Sequence, residues 1–298
     1  MSVLESIGNT PMMELINLNP KRPGVRILAK YEGCNPGGSI KDRVALYMVR
    51  KAEKSGALTP DKIIIEPSSG NTGIALAMIG SAKGYRVRIV MPESASLERR
   101  QILKAYGAEV ILSPAEKGMD GAIELARSIM ESNPKKYYMP DQFNNSANVL
   151  AHYETTGPEI LRQTDGNIDV FIAGIGTSGT LVGAGRYLKE QRPDITIIGI
   201  EPLPGHRIQG LKNLTESMVP SIFDRSIVDR MISIEDQEAF SMASKLAKRE
   251  GIFVGLSSGA AVAGALRISE EMDSGKIVTI LPDRGDRYLS TGIYTERD

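Results

Sequence analysis

The chain has 298 residues, 41% of them hydrophobic, with 36 basic and 36 acidic side chains and a single cysteine, Cys34. That length suits about two domains, and the charge balance gives no general field to draw nucleic acid or an anionic membrane, so an anion must be bound by local geometry. One thiol excludes an internal disulfide and a cysteine zinc cluster, Met1-Ser2-Val3-Leu4-Glu5 lacks the basic and apolar pattern of a secretion signal, and no uncharged apolar run nears the ~18 residues of a membrane span, so a cytoplasmic protein is expected.

In chain order, residues 25–32 read as a strand and 43–58 as a helix whose Val44, Ala45, Met48, Val49 and Ala52 share one face, with Gly56 near its end. Residues 62–67 follow as a buried strand, 72–83 as a helix apolar nearly all round, and 87–91 as another strand. The alternation continues through 97–106, 109–112 and 121–132. Polar residues 141–148 interrupt it and mark the crossing between two domains. Thr155-Thr156-Gly157-Pro158-Glu159 then predicts a helix start, with hydroxyl caps, an early proline and a first-turn acid. Beyond it come strands at 170–173, 195–200 and 277–281 and helices at 180–191, 235–249 and 258–271. The pattern predicts an α/β protein with mostly parallel sheets.

Lys41 opens the first long helix, in Asn35-Pro36-Gly37-Gly38-Ser39-Ile40-Lys41-Asp42-Arg43. An amine facing the positive end of a helix dipole is disfavoured in its protonated form, which suits nucleophilic chemistry; a solvated surface charge is the plainer reading. Three glycine loops accompany it: Ser68-Ser69-Gly70-Asn71-Thr72-Gly73, Gly174-Ile175-Gly176-Thr177-Ser178-Gly179-Thr180 and Gly255-Leu256-Ser257-Ser258-Gly259-Ala260. The first and third are compatible with simple helix capping, and each of the three would also place amides and hydroxyls around an anion. Gly174, Gly176 and Gly179, with Glu201 closing the next strand, also approximate a dinucleotide fingerprint, so an NAD-dependent oxidoreductase competes. One ligand with an electrophilic carbonyl for Lys41, a phosphate for 176–180 and a polar ring for Asn71 and Ser257 would use all the loops; pyridoxal 5′-phosphate has these parts.

The segments 35–43, 68–73, 176–180, 257–261 and 283–292, together with Ile7-Gly8-Asn9-Thr10-Pro11 and Ala151-His152-Tyr153, resemble the cysteine synthase family of fold-type II pyridoxal-phosphate enzymes, most closely its B type. The resemblance implies a two-lobed, tryptophan synthase β-like α/β architecture with a twisted, mostly parallel sheet in each lobe and the cofactor between them. The smaller, mobile, substrate-binding lobe would comprise 36–146, and the larger, phosphate-binding lobe 1–35 plus 147–298. It implies Lys41 as covalent anchor and general base, Asn71 at the cofactor's ring oxygen, Gly176, Thr177, Ser178, Gly179 and Thr180 around the phosphate, and Ser257 at the pyridine nitrogen. Ser68, Ser69, Asn71, Thr72 and Gln142 would hold the substrate carboxylate. The implied reaction is β-replacement on O-acetyl-L-serine or O-phospho-L-serine by sulfide or thiosulfate, through an α-aminoacrylate, giving L-cysteine; a related β-synthase or a serine/threonine dehydratase is the alternative within the family. Lys212 and Arg207 lie where an anionic substrate or donor would be selected, or are solvated rim charges. A homodimer is implied, no metal is expected of His152 or His206, and Cys34 is read as an ordinary thiol. The chain stops six residues after Gly292, so the longer tail of some relatives is expected to be missing.

Overall fold

The structure is a computed structural model describing residues 1–19, 24–292 and 294; the remaining tail residues, 293 and 295–298, lie outside the described residues. It divides into two compact units, the first made of Met1–Ile7 and Asn35–Ala147, the second of Gly8–Cys34 and Asn148–Asp298. In chain order, β1 (Met12–Glu14) and β2 (Val25–Tyr31) belong to the second unit. The first unit follows with α1 (Lys41–Lys54), β3 (Ile63–Pro67), α2 (Asn71–Lys83), β4 (Arg86–Pro92), α3 (Leu97–Ala105), β5 (Glu109–Ser113), α4 (Gly118–Ser132) and β6 (Tyr137–Tyr138). From α5 (Ser146–Ala151) the chain continues into α6 (Gly157–Gln163), β7 (Val170–Gly174), α7 (Gly179–Gln191), β8 (Thr196–Pro202), β9 (Arg230–Ile234), α8 (Asp236–Lys245), α9 (Leu256–Glu270) and β10 (Gly275–Leu281).

The first unit is a parallel sheet in the order β5-β4-β3-β6. All five residues of β3 are buried, and they alternate faces: Ile64 joins a cluster with Val49, Ile74 and Ile89, while Ile63 and Ile65 pack with Val90, Ala122 and Ala126. A strand covered on both faces reads as a continuous apolar run, which is why Ile-Ile-Ile was legible. Leu4 and Ile7 pack on the first of these clusters, which accounts for Met1–Ile7 grouping with this unit and apart from the rest of the N-terminal segment.

The second unit is a six-stranded sheet in the order β1-β2-β10-β7-β8-β9, parallel except for β1 against β2. Ile27, Ile172, Ile198, Ile200 and Ile277 pack there with Ala239, Leu246, Val262, Ala265 and Ile268.

The helix expected to open at Thr155–Thr156 does not begin there. Thr156 has helical dihedrals and no side-chain cap, and the helix runs unbroken from Ser146 through a widened turn at His152–Thr156 into α6. Pro158 lies just past that turn, where the Gly157 amide bonds back to the His152 carbonyl, five residues earlier. A proline inside a helix removes one hydrogen bond and crowds the preceding turn, and the wide turn accommodates both. Of the strands absent from the sequence reading, β1 and β6 span three and two residues, too short for periodicity to stand out, and β9 is an edge strand whose apolar run is broken by exposed Arg230 and Ser233.

Both sheets contain a place where the strand order reverses. In the first unit the chain builds β3, β4 and β5 outward to one side and then adds β6 on the other side of β3; in the second, β8 and β9 follow β7 on one side and β10 on the other. Ligands of open α/β sheets bind outside the carboxyl ends of strands at such points. The loops leaving β3, β6 and β7 are therefore the places where such a ligand would bind.

Candidate active site

In the first unit, Lys41 is the first residue of α1 and half-buried, in a run of buried neighbours from Ser39 to Arg43. Its backbone amide donates to Ser39 Oγ at 3.2 Å. The turn before it is tied down twice, by the Gly38 amide to the Asn35 carbonyl at 2.7 Å and by the Gly37 amide to Asp42 Oδ2 at 2.6 Å. A Cβ on Gly37 would sit 2.4 Å from Asp42 Oδ1, so only glycine admits this buried carboxylate, which fixes where Lys41 starts the helix.

After β3, Ser68 Oγ accepts from the amides of Gly70 at 3.3 Å and Gly73 at 3.1 Å, which organises the N-terminal turn of α2. Thr72 Oγ1 donates to Gln142 Oε1 at 2.6 Å, joining the loop after β3 to the loop after β6 across the reversal point. Ser69 and Asn71 are half-buried in the same turn. The first amides of a helix have no intrahelical partners and carry the positive end of its dipole, so this turn can accept a carboxylate.

In the second unit, β7 ends at Gly174 and the chain passes Ile175 to Ser178 before α7. Backbone bonds at 2.8 Å hold Ile175 on either side, its amide to the Ile200 carbonyl and its carbonyl to the Lys212 amide. Ser178 adopts a left-handed backbone, φ 69°, rare for a residue with a side chain; it is 2% exposed and its Oγ has no hydrogen-bond partner among the described residues. Thr177 Oγ1 accepts from Asn148 Nδ2 at 3.0 Å, and Thr180 Oγ1 is 3.2 Å from His152 Nε2, whose Nδ1 lies 2.9 Å from Thr156 Oγ1. A Cβ on Gly176 would meet the Gly210 carbonyl oxygen at 2.4 Å, and one on Gly210 would lie 3.6 Å from Ser257 Oγ. Gly210, at φ 94°, thus brings the 176–180 turn and the second residue of α9 into one neighbourhood.

These features fit a phosphate. The turn offers neutral hydroxyls, helix-start amides and an orphaned buried hydroxyl, with no carboxylate to repel a dianion. The dinucleotide reading fits less well, since Leu211 Cδ2 would lie 2.6 Å from a Cβ on Gly174 and Glu201 Oε2 accepts from the Leu214 amide at 3.2 Å. Ser257 is buried at the start of α9. Lys212 follows directly on the Gly210 segment and is half-buried. Arg207 has partners of its own: its side chain is 79% exposed, its Nε is 3.3 Å from Asp236 Oδ2 and its guanidinium lies over the Phe240 ring. Cys34 is exposed; partial desolvation, with the Glu32 charge adding to it, holds its thiol above its ordinary value, which disfavours the reactive thiolate.

Sequence reasoning missed Asn148, Gly210 and Glu66. Asn148 lay in a segment read only as a crossing, Gly210 has no local pattern that announces its packing, and Glu66 was a polar residue near the end of an otherwise apolar strand. Glu66 is 1% exposed, and burial pushes its carboxyl up to about 8.

The comparisons with known proteins agree with this geometry. Residues 3–283 match the family model "Pyridoxal-phosphate dependent enzyme". Cysteine synthase B of Salmonella typhimurium is 49% identical, over 99% of this chain and 97% of its own. Among solved structures, a cysteine synthase from Entamoeba histolytica superposes with a TM-score of 0.94 at 43% identity, over 100% of this chain and 91% of that one. An O-ureido-L-serine synthase does so with a TM-score of 0.93 at 39% identity, over 100% and 96% of the two chains. With a family match along nearly its whole length and relatives this similar, the chain belongs to the pyridoxal-phosphate dependent enzymes, in their cysteine synthase branch.

Proposed function

We propose that this protein makes L-cysteine by β-replacement on an activated L-serine, with Lys41 as its catalytic residue. The observation that carries the reading is the 49% identity to a cysteine synthase B across 99% of the chain. Pyridoxal phosphate, when bound, supplies an electrophilic carbonyl and an electron sink for charge developing at the substrate's α carbon.

The residues of the chain do the rest. Lys41 Nζ would hold the carbonyl carbon covalently, take the substrate's α proton as general base and return it after sulfur has added to the β carbon. Asn71 would bond the ring oxygen. The hydroxyls of Thr177, Ser178 and Thr180, with the amides of 176–180, would hold the phosphate. Ser257 would meet the ring nitrogen with a neutral hydroxyl, which does not enforce its protonation as a carboxylate would and so favours rapid departure of the β group over build-up of charge. Ser69, Asn71, Thr72 and Gln142 would receive the substrate carboxylate at the start of α2. Ser68 Oγ already accepts two loop amides, so it can offer the substrate only its own proton.

Of the two cations considered for anion selection, Lys212 is the better placed, because its backbone pairs with the 174–180 turn while Arg207 is engaged by Asp236. The first unit would serve as the mobile substrate domain and the second as the phosphate domain. A cytoplasmic homodimer belongs to the same reading, carried by the resemblance to the B-type enzymes.

The test is direct. Borohydride reduction of the yellow protein should abolish its visible band and leave the label on Lys41, and the enzyme should release cysteine from O-acetylserine and sulfide, with Lys41→Ala at least about 10³-fold slower. A colourless protein that binds NADH, or one that yields only pyruvate, would overturn the assignment.

A further inference from the structure

Glu66 is a buried acid beside the substrate turn with no part in the chemistry above. It sits at the carboxyl end of β3, two residues before Ser68. Its Oε2 accepts from the Asp141 amide at 3.0 Å and its Oε1 from the Gln142 amide at 3.3 Å. Asp141 is held at φ 52°, a left-handed backbone uncommon for residues with a side chain, and its own carboxylate accepts from Asn144 Nδ2 at 2.8 and 3.0 Å. The next residue, Gln142, accepts the Thr72 hydroxyl. One strand end thus holds the backbone that aims the side chain reaching the substrate turn.

We propose that Glu66 is a positioning residue for substrate recognition, its carboxylate fixing the Asp141–Gln142 backbone so that the Gln142 side chain meets Thr72. The inference rests on the reading of the α2 start as the carboxylate subsite. Its consequence is a pH-dependent subsite. The ionised carboxylate accepts both amides as charge-assisted bonds, roughly twice as strong as those a neutral carboxyl accepts. Substrate held by Gln142 and Thr72 therefore favours the ionised form, and ionisation in turn tightens the subsite.

The groups facing Glu66 set where it titrates. Tyr138 of β6 is pushed up to about 12 by burial and by the Glu66 charge, while Asn145 bonds its hydroxyl; Asp141 opposes ionisation of Glu66 from the turn. From α2, no ionisable side chain precedes Lys83. From α1, Lys51 donates to Ser146 Oγ at 2.7 Å. Lys51, Tyr138 and Asp141 line an open cavity of about 310 Å³, which gives solvent, and hence protons, access to this corner.

The experiment compares wild type with Glu66→Gln, whose carboxamide can accept only one of the two amides. KM for the activated serine should rise about threefold at about pH 6 and about tenfold at about pH 9, with kcat within about twofold. The substrate's own titration cancels in the ratio. In a Gln142→Ala background, Glu66→Gln should add no further change in KM, because Glu66 acts through Gln142. Independently of turnover, hydrogen exchange at the Asp141 and Gln142 amides should quicken in Glu66→Gln. A pH-independent KM ratio, additive effects with Gln142→Ala, or unchanged amide exchange would each overturn the proposal. Should Glu66→Gln fail to fold, the wild-type exchange rates decide: protection at these two amides that does not rise relative to the other amides of the β5-β4-β3-β6 sheet between about pH 6 and about pH 9 refutes it. A protein with no β-replacement activity at all would instead remove the functional reading on which it rests.

Discussion

Replacing Ser178 should strengthen the cofactor-free protein while weakening its hold on the cofactor. The residue carries two local costs: a left-handed backbone at φ 69°, worth about 1–2 kcal/mol for a side-chain-bearing residue, and a buried Oγ without a partner among the described residues, worth about 1–3 kcal/mol. Ser178→Ala removes the second cost and keeps the first, so the cofactor-free protein should gain about 1 kcal/mol. Ser178→Gly removes both but adds chain entropy to the unfolded state, about 0.5–1 kcal/mol, and should end somewhat more stable than the alanine variant. A hydroxyl bonded to a phosphate dianion contributes about 1.5–3 kcal/mol, so both variants should bind pyridoxal phosphate about 10- to 100-fold more weakly. Urea unfolding of the stripped proteins reads the first effect, and titration of the visible band reads the second. If both variants lose stability without cofactor, or either keeps wild-type cofactor affinity, Ser178 is not a strained phosphate ligand and the cradle argument fails.

Lys30→Met should cost about 3–5 kcal/mol by urea midpoint, because Lys30 is fully buried and its removal strips the cation from Glu159, 2.8 Å away, and a donor from the Thr10 carbonyl; a loss under about 1 kcal/mol would mean that the pair is solvated. Lys212→Ala should shift preference from O-phosphoserine toward O-acetylserine by several-fold in kcat/KM, about 1 kcal/mol, and an unchanged ratio would return Lys212 to the solvated rim. The raised Glu66 carboxyl makes the folded protein bind more protons than the unfolded chain between its ordinary value of 4.5 and about 8. Stability from this group is therefore complete below that window and declines as pH rises through it, by about 5 kcal/mol at most; urea midpoints across this range should fall in wild type and flatten in Glu66→Gln.

Much of the molecule was legible because neighbouring residues decide it. The Ile-Ile-Ile strand, the apolar α2 and the glycine turns after β3 and β7 follow from periodicity and from where a backbone must approach a ligand, and the family motifs lie within those same turns. Helix boundaries were off where tertiary context overrode local signals. A proline preceded by two threonines reads as a helix start, yet the chain enters the helix nine residues before Thr155, at Ser146, since a widened turn absorbs what proline disrupts.

The division between the two kinds of information is sharpest within the site. Residue types and turn spacing are local properties, so Lys41, Asn71, the 176–180 turn and Ser257 stood out along the chain without coordinates. Contacts between residues distant in sequence depend on how strands are ordered, and only the fold decides those. The sheet reversal at β3 and β6 sets Gln142 against Thr72, 70 residues apart, and Glu66 against the Gln142 amide, 76 apart. The close approach of Gly210 to Gly176 turns a glycine with no local signal into a wall of the cradle. The same fold pairs Arg207 with Asp236, a partner 29 residues away that the sequence alone does not single out.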